Sequence, residues 1–183
     1  MNRIPVIDPA TATGRTAELL GAVKTKLGLV PNLVRVFAQS PAVLQGYLGL
    51  GGALEQSSLS AAVREQIALA VAELNSCEYC LSAHSAIGRS VGLTPEAIEA
   101  ARRGQATDPR VAALLRFVRD VVESRGRVSD EALTTVRTAG ATDAEIVETI
   151  ALIVLNIFTN YTNNVARTQI DFPRAKPLAV VAA

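Results

Sequence analysis

The chain has no tryptophan, one histidine, one methionine and two cysteines in 183 residues, and aromatic side chains make up only 4% of it. With so few rings the interior is left to aliphatic residues, and Ala, Leu and Val dominate the 49% that is hydrophobic. That composition favours interlocking helices over a strand-rich sandwich. Charge of one sign is missing too: eighteen Lys and Arg stand against seventeen Asp and Glu, a net charge of +1. This balance excludes the basic footprint of a nucleic-acid binder or of a membrane-surface protein. Long apolar runs are absent; "IALIVLNIF", residues 150–158, is about half of what a bilayer span needs. The first twenty residues, "MNRIPVIDPATATGRTAELL", hold two prolines and no apolar core, unlike a signal peptide. The expectation is one soluble, cytoplasmic domain large enough to bury a core. In a reducing compartment, two cysteines at C-x-x-C spacing point to catalysis or metal binding rather than to a structural disulfide.

What the chain does have is helical punctuation. Pro5 and Pro9 make residues 1–12 an extended arm. Leu19, Leu20, Val23 and Leu27 fall at helical spacing before Gly28, a stop signal. Pro31 opens a short helix to about Ala38, Ser40-Pro41 opens the next, and Ser60 caps another that runs to about Leu74. "TPEAIEAARRG" spells a whole helix, with Thr94 as cap and Gly104 after its end. Asp108-Pro109 and Ser129 start two more, and Thr142 with Glu145 forms a capping box. No stretch alternates with period two. The fold class predicted is all-α, a bundle of eight to ten helices over residues 13–172, with a tail at 173–183. Either arm is long enough to wrap a neighbouring subunit.

An internal echo accompanies this pattern. Shifted by 83 residues, Glu65-Gln66-Ile67-Ala68-Leu69 lies on Glu148-Thr149-Ile150-Ala151-Leu152. The same shift places Cys77 on Asn160, Cys80 on Asn163 and His84 on Arg167. It predicts a pseudo-repeat with the chemistry in the first copy and scaffold in the second; chance alignment of Ala- and Leu-rich helices is the alternative.

Both cysteines and the lone histidine lie in "ELNSCEYCLSAHSA", residues 73–86. Ser76 reads as an N-cap, which puts Cys77 first and Cys80 fourth in a helix. Cys77, Cys80 and His84 then share one stripe. A helix N-terminus favours thiolate over thiol, which points to Cys77 as the nucleophile. His84, one turn beyond Cys80, is placed to take its proton, which points to Cys80. Either way the parts suit a dithiol–disulfide cycle. Glu65, twelve residues before Cys77, is a candidate to orient His84, or else an ordinary solvated residue. A structural zinc site wants four ligands, and only Cys77, Cys80, His84 and a carboxylate are on offer; a mixed catalytic zinc site stays open on these grounds. Covalent haem is excluded because Leu81, not His, follows the second cysteine. Two buried inert thiols are the remaining reading.

The pattern Glu65-x(11)-Cys77-Glu78-Tyr79-Cys80-x(3)-His84 resembles the core motif of the alkylhydroperoxidase D-like family, within the carboxymuconolactone decarboxylase-like superfamily. The upstream "GLVPNLVRVFAQSP" is similar to a stretch in members labelled peroxidase-related, and the resemblance spans about residues 28–172. It implies an all-helical fold with internal pseudo-repeats, a homo-oligomer (trimer or hexamer), and no cofactor or metal. It also implies reduction of a small-molecule hydroperoxide at the expense of an external thiol or dithiol. On this resemblance Cys80 attacks the peroxide, Cys77 resolves, and Glu65 and His84 relay the proton. Tyr79 joins the site by position, standing where the best-known peroxidase members have a histidine. A tyrosine donates a hydrogen bond but is a poor base near neutral pH. Two other functions fit the same residues: a cofactor-free lyase or isomerase acting on a small carboxylate or lactone through Glu65 and His84, and a non-enzymatic, redox-sensing helical oligomer.

Overall fold

Residues 66–72 are buried without a break, so the helix that carries them has no solvent face over two turns. Such a helix lies at the centre of its fold rather than on its surface. In the computed structural model, which describes residues 2–176 and 178, it is α4 (Ala61–Leu74), and it packs against four other helices. Around it run α1 (Gly14–Leu27), α2 (Asn32–Phe37), α3 (Pro41–Leu54), α5 (Glu78–Ser90), α6 (Pro95–Arg102), α7 (Pro109–Ser124), α8 (Asp130–Thr138) and α9 (Asp143–Ala166). Among the described residues there are nine helices and no strand, so the all-α reading holds.

The caps read from the sequence are in place. Ser40, Ser60, Thr94 and Ser129 each accept a hydrogen bond from the backbone N–H three residues on, and Asp108 accepts from Arg110 and Val111. Thr142 and Glu145 close the capping box of α9, where Arg110 adds an ion pair to Glu145. Gly28 and Gly104 take the left-handed backbone that ends a helix.

Two apolar clusters meet along α4. One gathers Ile67, Leu69 and Val71 with Leu114, Leu115 and Val118 of α7 and Ile153 of α9. The other joins α1 and α2 through Leu20, Val34 and Phe37 to Ala72, Cys77, Tyr79 and Cys80. At about 1.5–3 kcal/mol for each large side chain removed from water, such a core outweighs any single polar feature of the fold. The dithiol is therefore part of the packed interior.

The structure adds detail that the sequence does not give. The N-terminal arm is bound to its own chain: Ile7 and Arg35 exchange hydrogen bonds, and Arg3 N–H donates to the Ala166 carbonyl. The echo of α4–turn–α5 is not a second helix–turn–helix, because α9 runs unbroken for 24 residues through the positions matching the turn. Taken whole, α9 is also long and apolar enough by composition to cross a membrane, although 44% of its most apolar window is buried in the fold. Of the tail, Ala175 N–H donates to Ser82 Oγ at 3.1 Å and the Lys176 carbonyl accepts from Arg102; residues 177 and 179–183 lie outside the described residues.

Candidate active site

The link from α4 to α5 is three residues long, and it decides where the sulfurs sit. Cys77 N–H reaches back to the Ala72 carbonyl at 2.9 Å, and Ser76 N–H to Glu73 at 3.0 Å. Closing that turn puts Ser76 at φ +50°, a left-handed conformation that costs a non-glycine residue about 1 kcal/mol. Ser76 is therefore used up in the reversal and cannot cap. The cap is Cys77, whose Sγ accepts from Cys80 N–H at 3.4 Å. Cys80 consequently occupies the third position of α5, still inside its positive first turn.

The structure brings Glu65 and His84 together. Glu65 Oε2 lies 2.8 Å from His84 Nδ1, with both side chains largely shielded from solvent. Burial alone pulls the imidazole pKa down, but the Glu65 carboxylate, by charge and hydrogen bond, and Cys80 beyond it outweigh that, and the net direction is upward. A protonated His84 is thus favoured beside a sulfur that has lost its proton. The two thiols diverge. Cys80 is held well below the ordinary thiol range, chiefly by the hydrogen bond from Cys77, helped by the charge of His84 and against the cost of burial. Cys77, donating to that sulfur and buried, is pushed far up. Both directions favour Cys80 over Cys77 as the sulfur that ionises, the choice that helix position alone left open.

Tyr79 is at the site with its hydroxyl turned to another task. It accepts from Leu33 N–H at 3.2 Å, and its ring stands edge-on to Phe172 at 5.7 Å. Burial, first of all, together with Asp171 raises this phenol far above its usual range. The phenol on the thiolate side is Tyr47 of α3, which no motif in the sequence marks. It packs against Phe37 at 4.9 Å and is pushed up to about 12 by burial and by the neighbouring Cys80 and Glu65.

Asparagines complete the surroundings of the sulfur, and the motif does not include them. Asn163 Nδ2 donates to Cys80 Sγ at 3.3 Å, and Thr159 Oγ1 lies 4.0 Å from the same sulfur. Asn160 Oδ1 accepts from Asn75 Nδ2 at 3.0 Å, tying the α4–α5 turn to α9. A signal for them exists, since Asn156, Asn160 and Asn163 recur at helical spacing. So the positions echoing the two cysteines face the dithiol instead of serving as remote scaffold.

A cavity of about 590 Å³ opens onto this group. Cys80, His84, Glu65 and Tyr47 line its reactive end, and Leu27 and Leu29 are among its many apolar walls; Cys77 does not reach it. A wider groove of about 810 Å³ beside α7 and α8 has no cysteine or histidine in its lining. Among the described residues no three His, Cys, Asp or Glu side chains gather so as to hold a metal ion.

Comparison with known proteins bears on the fold. Residues 41–123, the stretch that holds Glu65, Cys77, Cys80 and His84, match the carboxymuconolactone decarboxylase family. The fold is similar to that of an alkylhydroperoxidase AhpD core, an uncharacterized peroxidase-related protein from Ralstonia eutropha, with a TM-score of 0.83 and 24% identity over 93% of this chain and 92% of the other. A peroxidase-related protein from a Silicibacter species gives 0.80 and 24% over 91% and 89%. The debrominase Bmp8, in complex with 2,3,4-tribromopyrrole, gives 0.78 and 18% over 92% and 91%. At these identities the likeness is one of fold. None of the curated proteins matches the chain. The names of these similar proteins, decarboxylase, peroxidase-related and debrominase, mark more than one reaction.

Proposed function

We propose that the protein is a cytoplasmic, thiol-dependent hydroperoxide reductase that works as a homo-oligomer. One observation carries the reading: the low-pKa Cys80 lies in the wall of an apolar cavity, with the Glu65–His84 pair beside it and the Cys77 thiol behind it. The Cys80 thiolate attacks the distal peroxide oxygen; the S–O bond forms, the O–O bond breaks, and the alkoxide leaves as an alcohol with the proton of His84. Cys77 then attacks the sulfenate, forming the disulfide and releasing water. An external thiol or dithiol restores both thiols by exchange. No cofactor enters this cycle.

The size and apolar walls of the cavity, together with the debrominase likeness, favour one second reading. The same thiolate would accept bromine from a brominated ring, the ring carbon would take a proton, and Cys77 would displace bromide as the disulfide closes. Stopped-flow titration of the reduced protein with cumene hydroperoxide, counting thiols before and after, tests the main proposal. The expected result is loss of two thiols per chain, reversed by a dithiol and abolished in Cys80→Ser. Survival of both thiols in excess peroxide sinks it, and moves either the brominated substrate or acid–base chemistry at Glu65 and His84 to the front.

A further inference from the structure

We propose that Asn163 of α9 donates its amide N–H to hold the Cys80 sulfur as a thiolate, with the unpartnered amide N–H of the neighbouring Asn160 in reserve, so that α9 is a working half of the dithiol site. The inference rests on Cys80 being the reactive sulfur and assigns roles to residues the proposed cycle leaves unused. Asn163 is 3% exposed and Asn160 fully buried, and the Asn163 amide reaches Sγ at 3.3 Å. Their remaining valences are poorly used: Asn163 Oδ1 and Asn160 Nδ2 have no hydrogen-bond partner among the described residues. An unpaired buried amide group costs about 1–3 kcal/mol. Two such amides side by side are a poor device for stability. They are a good one for a buried anion, which takes several donors and gains most where water is excluded.

Other sources of stabilisation at Cys80 are few. Its own N–H is spent on Cys77, and the Tyr79 hydroxyl is engaged on both sides, accepting from Leu33 N–H and bonding the Asp171 carboxylate. The titratable groups that face it are Cys77 and His84 on α5, with Tyr79 near, Tyr47 on α3, and Glu65 on α4 behind His84. From α9 the neighbours are Asn163, Asn160 and Thr159, all neutral. The amides therefore act by donation alone, independently of the imidazole's charge.

The test is titration of the Cys80 thiolate, by its absorbance near 240 nm and by the pH dependence of iodoacetamide alkylation mapped to that residue. Asn163→Leu keeps the volume and removes the donor, and Asn163→Ala removes it in a smaller side chain that the helix accepts if leucine prevents folding. In either variant the apparent pKa of Cys80 is expected to rise by about 1–2, the value of a hydrogen bond to a charged group. Asn160→Leu gives a smaller rise in the same direction, and Asn163→Gln, which keeps an amide, recovers part of the loss. A merely structural role predicts lower melting temperatures with the Cys80 titration unmoved, and that result overturns the proposal. Because no peroxide is used, the outcome is independent of whether the protein reduces one.

Discussion

At Cys80 the surroundings favour an ionised sulfur against the cost of its own burial, and the charge of His84 is one of the causes. That charge depends in turn on Glu65 at 2.8 Å. Replacing Glu65 with glutamine keeps the shape and removes the counter-charge, so His84 loses its proton at lower pH and the Cys80 pKa rises. In the native protein, alkylation of Cys80 is expected to reach its plateau rate below the ordinary thiol pKa of about 8.5. In Glu65→Gln the profile should move to higher pH, and once the sulfur is mostly protonated at pH 7 its rate there should fall about tenfold each time the pKa rises by about 1. An unchanged profile would show that the pair does not act on the sulfur. Part of this is legible in the sequence: spacing puts Cys77, Cys80 and His84 on one stripe, whereas Glu65 joins them only through the family motif and the contact that the turn between α4 and α5 allows. Tyr47 is not legible, since a single tyrosine among the glycines and leucines of α3 has no pattern to mark it.

Helix boundaries are legible wherever one residue decides them. Ser40, Ser60, Thr94, Asp108, Ser129 and Thr142 cap as their side chains dictate, because an N-cap is a contact across three residues and needs nothing distant. Ser76 misleads for the opposite reason: its role depends on how α4 ends, with Cys77 N–H returning to Ala72. The continuity of α9 is hidden too, since its polar Asn and Thr residues look like a break until the dithiol is seen opposite them. The box at the start of α9 gives a stability prediction. Arg110, first, and the Thr142 N–H lower the Glu145 pKa, so its contribution is full above the unfolded value of about 4.3 and is lost as pH falls through the lower folded one. Urea unfolding of Thr142→Ala at pH 7 should show a loss of about 1 kcal/mol. A loss within error would mean that the Arg110–Glu145 pair alone secures this end.

Seen whole, the molecule leaves one long helix face uncovered. Val147, Ile150, Val154, Phe158, Tyr161 and Val165 are all exposed, Val147 to 65%, and they recur every three or four residues along α9. A continuous apolar stripe of this length suits contact with a second copy of the chain, as the proposed homo-oligomer requires. Light scattering of Val154→Glu should report a smaller species than the unaltered chain at the same concentration. A monomer in both would remove the assembly. The deep seat of Cys77 has its own consequence for turnover. With one sulfur in the cavity wall and the other walled off, a disulfide between them has a single door: an incoming thiol can strike only at Cys80. The Cys77 released behind it is then held within reach to expel the newcomer and re-form the bond. A monothiol is left waiting for a second molecule to arrive, whereas a dithiol carries its own second blow and departs oxidised. In the proposed cycle such an architecture would select its reductant by a race, without needing a surface that recognises it.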